Sequence, residues 1–181
     1  MIKLLYLLIF IPALVSAQQK EEVVNLSGKS AKELYTSAKE WFALSSNSGN
    51  VTIEVDDPEE QKIIGKGIKN IICTLQKAPT FIEVYYALLV QFKDGRYKYH
   101  LDVNAIKYED GFEISYEDFK SLRTKEGWNA YCQKLGIKPT FRSKMELINY
   151  DNVNTLMDKN FENILADLTT HLKSNQKEIN W

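Results

Sequence analysis

The sequence predicts an α+β domain: a single antiparallel sheet of about five strands in the order β-α-β-β-β-β-α, with two helices packed on one face. Three observations predict it. A capped amphipathic helix comes early, over residues 30–42, and a second amphipathic helix closes the chain. Between them run β-rich segments, and two long ones flank Asp94-Gly95, a dipeptide suited to two-residue hairpin turns because both residues tolerate positive φ.

The chain begins Met1-Ile2-Lys3, continues through an apolar run from Leu4 to Leu14, and reaches Val15-Ser16-Ala17. A basic start, a short apolar core and a small-x-small ending predict a secretory signal peptide over residues 1–17, cleaved between Ala17 and Gln18. The run is too short to span a bilayer, since about 20 apolar residues are needed, and polar residues follow at once. No membrane span is expected after cleavage, and the expected location is periplasmic or secreted. The mature chain, residues 18–181, suits one domain with its own hydrophobic core. Lys3 is the only charge in the leader, so 22 Lys and Arg remain against 24 Asp and Glu, a formal net charge of −2. Nucleic-acid binding depends on a clustered basic excess that this chain lacks, so no nucleic-acid partner is expected.

Glu22 to Leu26 reads as a first strand, closed by a turn at Ser27-Gly28-Lys29. Ser30 with Glu33 three residues on forms a capping box. Ala31, Leu34, Tyr35, Ala38, Trp41 and Phe42 then mark one buried helix face. Val51, Ile53 and Val55 alternate with polar residues as a half-buried strand does, and Asp56-Asp57-Pro58-Glu59-Glu60 is a solvated turn. Gln61 to Ile72 is another strand; its glycines, Gly65 and Gly67, suggest a close approach under the crossing helix, but its register is not legible.

The hairpin allows a stricter test. With Asp94 and Gly95 as the loop, Phe92 pairs with Tyr97, Val90 with Tyr99, Leu88 with Leu101, Tyr86 with Val103 and Val84 with Ala105. All are apolar or aromatic, so that face is core, and a one-residue slip would destroy the agreement. The opposite face joins Lys93 to Arg96, Gln91 to Lys98, Leu89 to His100, Ala87 to Asp102 and Tyr85 to Asn104. It is mixed and open to water. From residue 107 to 153 periodicity fades into a mixed insertion. Within it Ser115 and Thr124 could each cap a short helix, the second carrying Trp128, Cys132 and Leu135 and stopping at Gly136. Its aromatic residues must dock somewhere, and the sheet rim or one end of the open face is the expected place, anchored by Trp128 and Leu135 and defining a groove. A helix from about Asn154 to Asn175 closes the chain, with Leu156, Met157, Phe161, Ile164, Leu165, Leu168 and Leu172 along one stripe.

Gly28-Lys29-Ser30-Ala31-Lys32-Glu33-Leu34-Tyr35 with Trp41, Ile64-Gly65-Lys66-Gly67, and Lys93-Asp94-Gly95-Arg96-Tyr97-Lys98-Tyr99 together give the chain a family likeness. It resembles exported bacterial domains of unknown function with a fold like half of the TATA-box-binding protein (TBP). The resemblance spans residues 21–106 and finds no counterpart for 107–153. It implies the fold and brings no catalytic residues.

Two functional expectations follow. The first is a non-enzymatic binding or interaction module using the open face, through Tyr85, Leu89, Gln91, Lys98, His100, Asp102 and Asn104, with a protein or small-molecule ligand of the cell envelope as its partner. The second is a hydrolase using His100 and Asp102 in a cleft beside the Trp128 segment. His100 and His171 lack the three or four partners a zinc ion requires, so no metal site or cofactor is implied. Export permits a disulfide between Cys73 and Cys132, provided their geometry allows it. The oligomeric state is not legible.

Overall fold

The computed structural model describes residues 19–47, 51–75, 78–140 and 144–174. The signal peptide expected over residues 1–17 and its expected cleavage point between Ala17 and Gln18 lie outside them. The elements run β1 (Gln19–Asn25), α1 (Ala31–Asn47), β2 (Val51–Asp57), β3 (Lys62–Leu75), β4 (Ala78–Lys93), β5 (Arg96–Tyr108), β6 (Glu113–Ser115), α2 (Tyr116–Ser121), α3 (Lys125–Lys134) and α4 (Lys144–Lys173). One antiparallel sheet has the order β1-β5-β4-β3-β2, and the three-residue β6 pairs with β5 as a sixth strand.

The hairpin register holds from the turn as far as Tyr86: Phe92 pairs with Tyr97, Val90 with Tyr99, Leu88 with Leu101 and Tyr86 with Val103. The outer pairs differ. Val84 lies opposite Ile106 rather than Ala105, and Tyr85 opposite Ala105 rather than Asn104, because the register shifts between Tyr85 and Tyr86. The extra residue, Asn104, forms a bulge that carries Ile106 onto the core face, where it is fully buried and faces the buried Ile114 of β6.

Both long helices cover this face. The α1 stripe of Leu34, Tyr35, Ala38, Trp41 and Phe42 is buried, as are Met157, Phe161, Leu165, Leu168 and Leu172 of α4. Trp41 Nε1 donates to Asp167 Oδ2 at 2.8 Å and joins the two helices. The capping box forms: the Ser30 amide donates to Glu33 Oε2 at 2.7 Å and the Glu33 amide to Ser30 Oγ at 3.3 Å. Asp94 of the hairpin turn accepts from the Ala31 amide at 2.8 Å, and Gly95 exchanges backbone bonds with Leu26 and Lys29. Two separated motifs thus meet in one knot that fixes where α1 starts. At the other end of the chain, Lys29 Nζ donates to the carbonyls of Leu172 and Ser174, the C-terminal acceptors of α4.

Two further expectations are corrected. The closing helix starts ten residues earlier, at Lys144, with Tyr150 and Val153 buried. Of the two places expected for the insertion the rim is used and the open face is not: β6 pairs with β5 at the sheet edge, and the rest joins the helix-covered side, where Phe119 of α2 packs edge-on against Tyr150 of α4 and Ile114, Tyr116, Phe119 and Leu122 belong to the main core. These residues anchor it with the partly buried Trp128, whereas Leu135 is about half exposed. Ser115 and Thr124 do cap α2 and α3. Of the two states left open for the cysteines, two separate thiols are found: Cys73 and Cys132 are both free and buried, the Cys73 thiol donating to the Thr80 carbonyl on the neighbouring strand and Cys132 enclosed on α3.

Candidate functional site

Strand alternation makes the open face one surface. Cross-strand partners point to the same side, so the row through Glu21, His100, Leu89, Ile64 and Val55 crosses five strands without leaving that face. The next row toward the hairpin turn holds Val23, Lys98, Gln91, Lys62 and Asp57, and the row beyond His100 holds Asp102, Ala87, Lys66 and Thr52. The centre is apolar: Leu89, Ile64 and Ala87 are half-buried, while Val55 and Val23 are exposed at the margins.

Charges of both signs surround this centre and are largely paired within the face. Lys98 Nζ lies 2.6 Å from Glu21 Oε1, and His100 Nδ1 lies 3.4 Å from Glu21 Oε2. The Lys98 hydrogen bond holds the Glu21 carboxyl below its ordinary range, against a smaller opposing effect of burial. Lys66 pairs with Glu54 at 3.2 Å and Lys62 with Asp57 at 3.9 Å. Tyr85 donates to Glu83 Oε2 at 2.9 Å, and this bond to a carboxylate pushes the phenol pKa up. Such pairs cost little to separate at an exposed surface and can exchange partners with an incoming one.

Six of the seven residues expected on this face stand there as the alternation requires: Tyr85, Leu89, Gln91, Lys98, His100 and Asp102. Asn104 sits on the bulge, exposed, and lines a shallow depression of about 280 Å³ with Tyr85, Lys66 and Ile68. Gln91 and Lys98 line a second depression, of about 530 Å³, with Val23, Lys93 and Arg96 at the hairpin turn.

The hydrolase arrangement does not form. The cleft beside Trp128 is lined by neither His100 nor Asp102, because those two sit on the open face whereas that cleft lies on the helix-covered side. The carboxylate facing His100 is Glu21 of β1, not Asp102. Sequence reasoning missed Glu21, Val23, Ile64 and Val55. Their alternation was visible in part, but the pairing of β1 with β5 and the register of β3 were not. Among the described residues no group of three or more His, Cys, Asp or Glu could hold a metal ion, and no helix is long and apolar enough to cross a membrane.

Residues 21–109 match the family described as a domain of unknown function (DUF4468) with TBP-like fold. Two solved structures share the architecture. One is a TBP-like protein from Parabacteroides distasonis, with 13% identity and a TM-score of 0.55, covering 87% of this chain and 94% of that one. The other is a DUF4468 family protein from Bacteroides ovatus, with 15% identity and a TM-score of 0.59, covering 88% of each chain. Coverage that high cannot be reached without part of residues 107–153, so the insertion does have structural counterparts. At these identities the likeness shows the fold alone. No curated protein matches the sequence.

Proposed function

Because residues 21–109 are a DUF4468 domain, a family described by its fold and not by an activity, we propose the function from the surface: an exported, non-enzymatic interaction module that docks a protein on its open sheet face. The observation that carries this reading is the row Glu21, His100, Leu89, Ile64, Val55, an apolar centre bordered by paired charges and covered by neither long helix. Leu89, Ile64 and His100 at its centre line neither of the two depressions, and a centre without concavity favours a protein over a small molecule, since small ligands need concavity to lose most of their surface. The partner chemistry that fits is a flat patch with an apolar centre and charges of both signs at its rim, able to take over the contacts of Lys98, Lys66 and Glu21. The leader over residues 1–17 supports placing this module in the periplasm or outside the cell. N-terminal sequencing of the exported protein is expected to begin at Gln18; a first residue of Met1 would remove the basis for that location.

Leu89→Thr combined with His100→Thr tests the docking face. Both side chains stand on the open face rather than in the core, and a Thr–Thr cross-strand pair suits an antiparallel sheet, so the melting temperature is expected to stay within a few degrees of wild type, about the change that ±0.5 kcal/mol produces. Affinity for a partner isolated from the native envelope is expected to fall at least about ten-fold, as truncation at the centre of an interface does. A double variant that retains wild-type affinity for every partner would show that docking occurs elsewhere.

A further inference from the structure

The open face is not the only surface with unassigned chemistry. Beyond the reach of α1, on the helix-covered side, the end of the β3–β4 hairpin and the insertion enclose a cleft of about 530 Å³. This volume lies within the usual range for small-molecule sites. Its walls are aromatic from both directions. Tyr108 and Phe112, from the end of β5 and the turn after it, stand with ring centroids 5.7 Å apart; Trp128 and Tyr131, from α3, stand 6.5 Å apart. Trp128 Nε1 donates to the Thr140 carbonyl at 2.9 Å, so the polar edge of this lining residue is satisfied. Tyr150 of α4 closes the inner end. Five of the nine large apolar side chains left exposed among the described residues, namely Phe112, Leu135, Ile137, Met145 and Ile148, belong to this insertion and the first turns of α4.

Among the described lining residues one is charged, and it is negative: Asp110. Its Oδ1 accepts from the Phe112 amide at 3.0 Å, which fixes the carboxylate in the turn beside the aromatic wall. Among the described residues no lysine or arginine lines the cleft, and Lys134, on the same helix as Trp128 and Tyr131, is engaged by Asp118 at 2.6 Å. An anionic ligand would meet Asp110 as a like charge. A purely apolar ligand would bury the carboxylate with no counter-charge, which is costly. A cation with an apolar body satisfies both features, because aromatic ring faces carry the negative end of their quadrupole and attract ammonium groups.

We propose that this cleft binds a small organic cation, an ammonium group carried on an apolar or aromatic body, with Asp110 as its counter-ion and Phe112, Tyr108 and Trp128 as its aromatic wall. The site is independent of the open face, and neither docking residue substituted above lines it. Calorimetric titration of the intact protein with benzyltrimethylammonium, benzyl alcohol and benzenesulfonate tests the assignment. The cation is expected to bind at least about ten-fold more tightly than the neutral and anionic probes. Asp110→Asn and Phe112→Leu, both at exposed positions, are expected to weaken the cation several-fold, Asp110→Asn by narrowing its advantage over benzyl alcohol and Phe112→Leu by weakening the cation more than the neutral probe. Equal affinity for the neutral probe, no detectable binding of the cation, or an unaltered cation affinity in Asp110→Asn would each overturn the proposal.

Discussion

Phe42→Ala is expected to lower stability by about 4 kcal/mol, within the range for removing a fully buried phenylalanine, and Gly65→Ala by about 2 kcal/mol through the same contact approached from the other side. Phe42 is fully buried on α1, with Trp41 edge-on at 5.0 Å. A Cβ on Gly65 would lie 2.5 Å from Phe42 Cε1, and 3.0 Å from both Phe42 Cδ1 and Val51 Cγ1. The ring is held by its neighbours, so the added methyl must push α1 off the sheet. Alanine gains some strand stability over glycine, roughly 0.5–1 kcal/mol, and this offsets part of the clash. A double-mutant cycle separates the two effects. Gly65→Ala is expected to be far less harmful beside Phe42→Leu, which vacates the space at ring distance, giving a coupling of at least about 1 kcal/mol in urea unfolding. Independent, additive losses would show that helix and strand do not press on each other here.

That contact shows what the sequence made legible. Glycine inside the β-rich run from Gln61 to Ile72 predicted a close approach, and the stripe from Leu34 to Phe42 predicted a helix on an apolar surface; the structure supplies the partner of each. The hairpin was readable because Asp94-Gly95 fixes the loop and period two then assigns every face. Legibility ended where the pattern carried no signal. Ala105 and Ile106 are both apolar, so nothing in the sequence chooses which faces the core, and the bulge at Asn104 decides it. The first ten residues of α4 are interrupted by Asn149 and Asn152, which obscures the stripe containing Tyr150 and Val153. Most of the candidate face could be listed from the hairpin alone, but its electrostatics could not. Glu21 reaches His100 and Lys98 only because β1 lies antiparallel along β5, a long-range pairing that local patterns do not specify. Asp94 likewise reads as a turn residue, and only the fold shows it also accepting from the first turn of α1.

Alkaline pH is expected to unfold the protein through its buried tyrosines, with stability intact below pH 10 and lost progressively as the pH rises from 10 toward 12. Burial pushes the phenols of Tyr35, Tyr86 and Tyr99 up to about 12 from the ordinary 10.0; hydrogen bonds to Asp56 and Glu22 add to the effect on Tyr35 and Tyr99. Burial raises Tyr116 as well. The sign follows from linkage: in this window the unfolded chain has released its phenolic protons while the folded chain keeps them, so the unfolded state binds fewer protons and stability falls with pH. A gap of two units corresponds to about 2.7 kcal/mol for one phenol that titrates independently. Tyr86 isolates the effect, since burial alone raises its pKa, and its ring packs edge-on against Phe161 at 5.3 Å. Tyr86→Phe keeps the ring and removes the proton, so it is expected to match wild type at pH 8 and to exceed it by about 2 kcal/mol near pH 12. Tyr99→Phe is expected to lose about 1 kcal/mol already at pH 8, because it also gives up the 2.8 Å bond to Glu22. Lysine deprotonation adds a background common to all three proteins, which the comparison at each pH removes. Urea unfolding at pH 8, 10 and 11.5 reads the difference: a Tyr86→Phe curve that falls as steeply as wild type would show that this phenol is not ionising on unfolding.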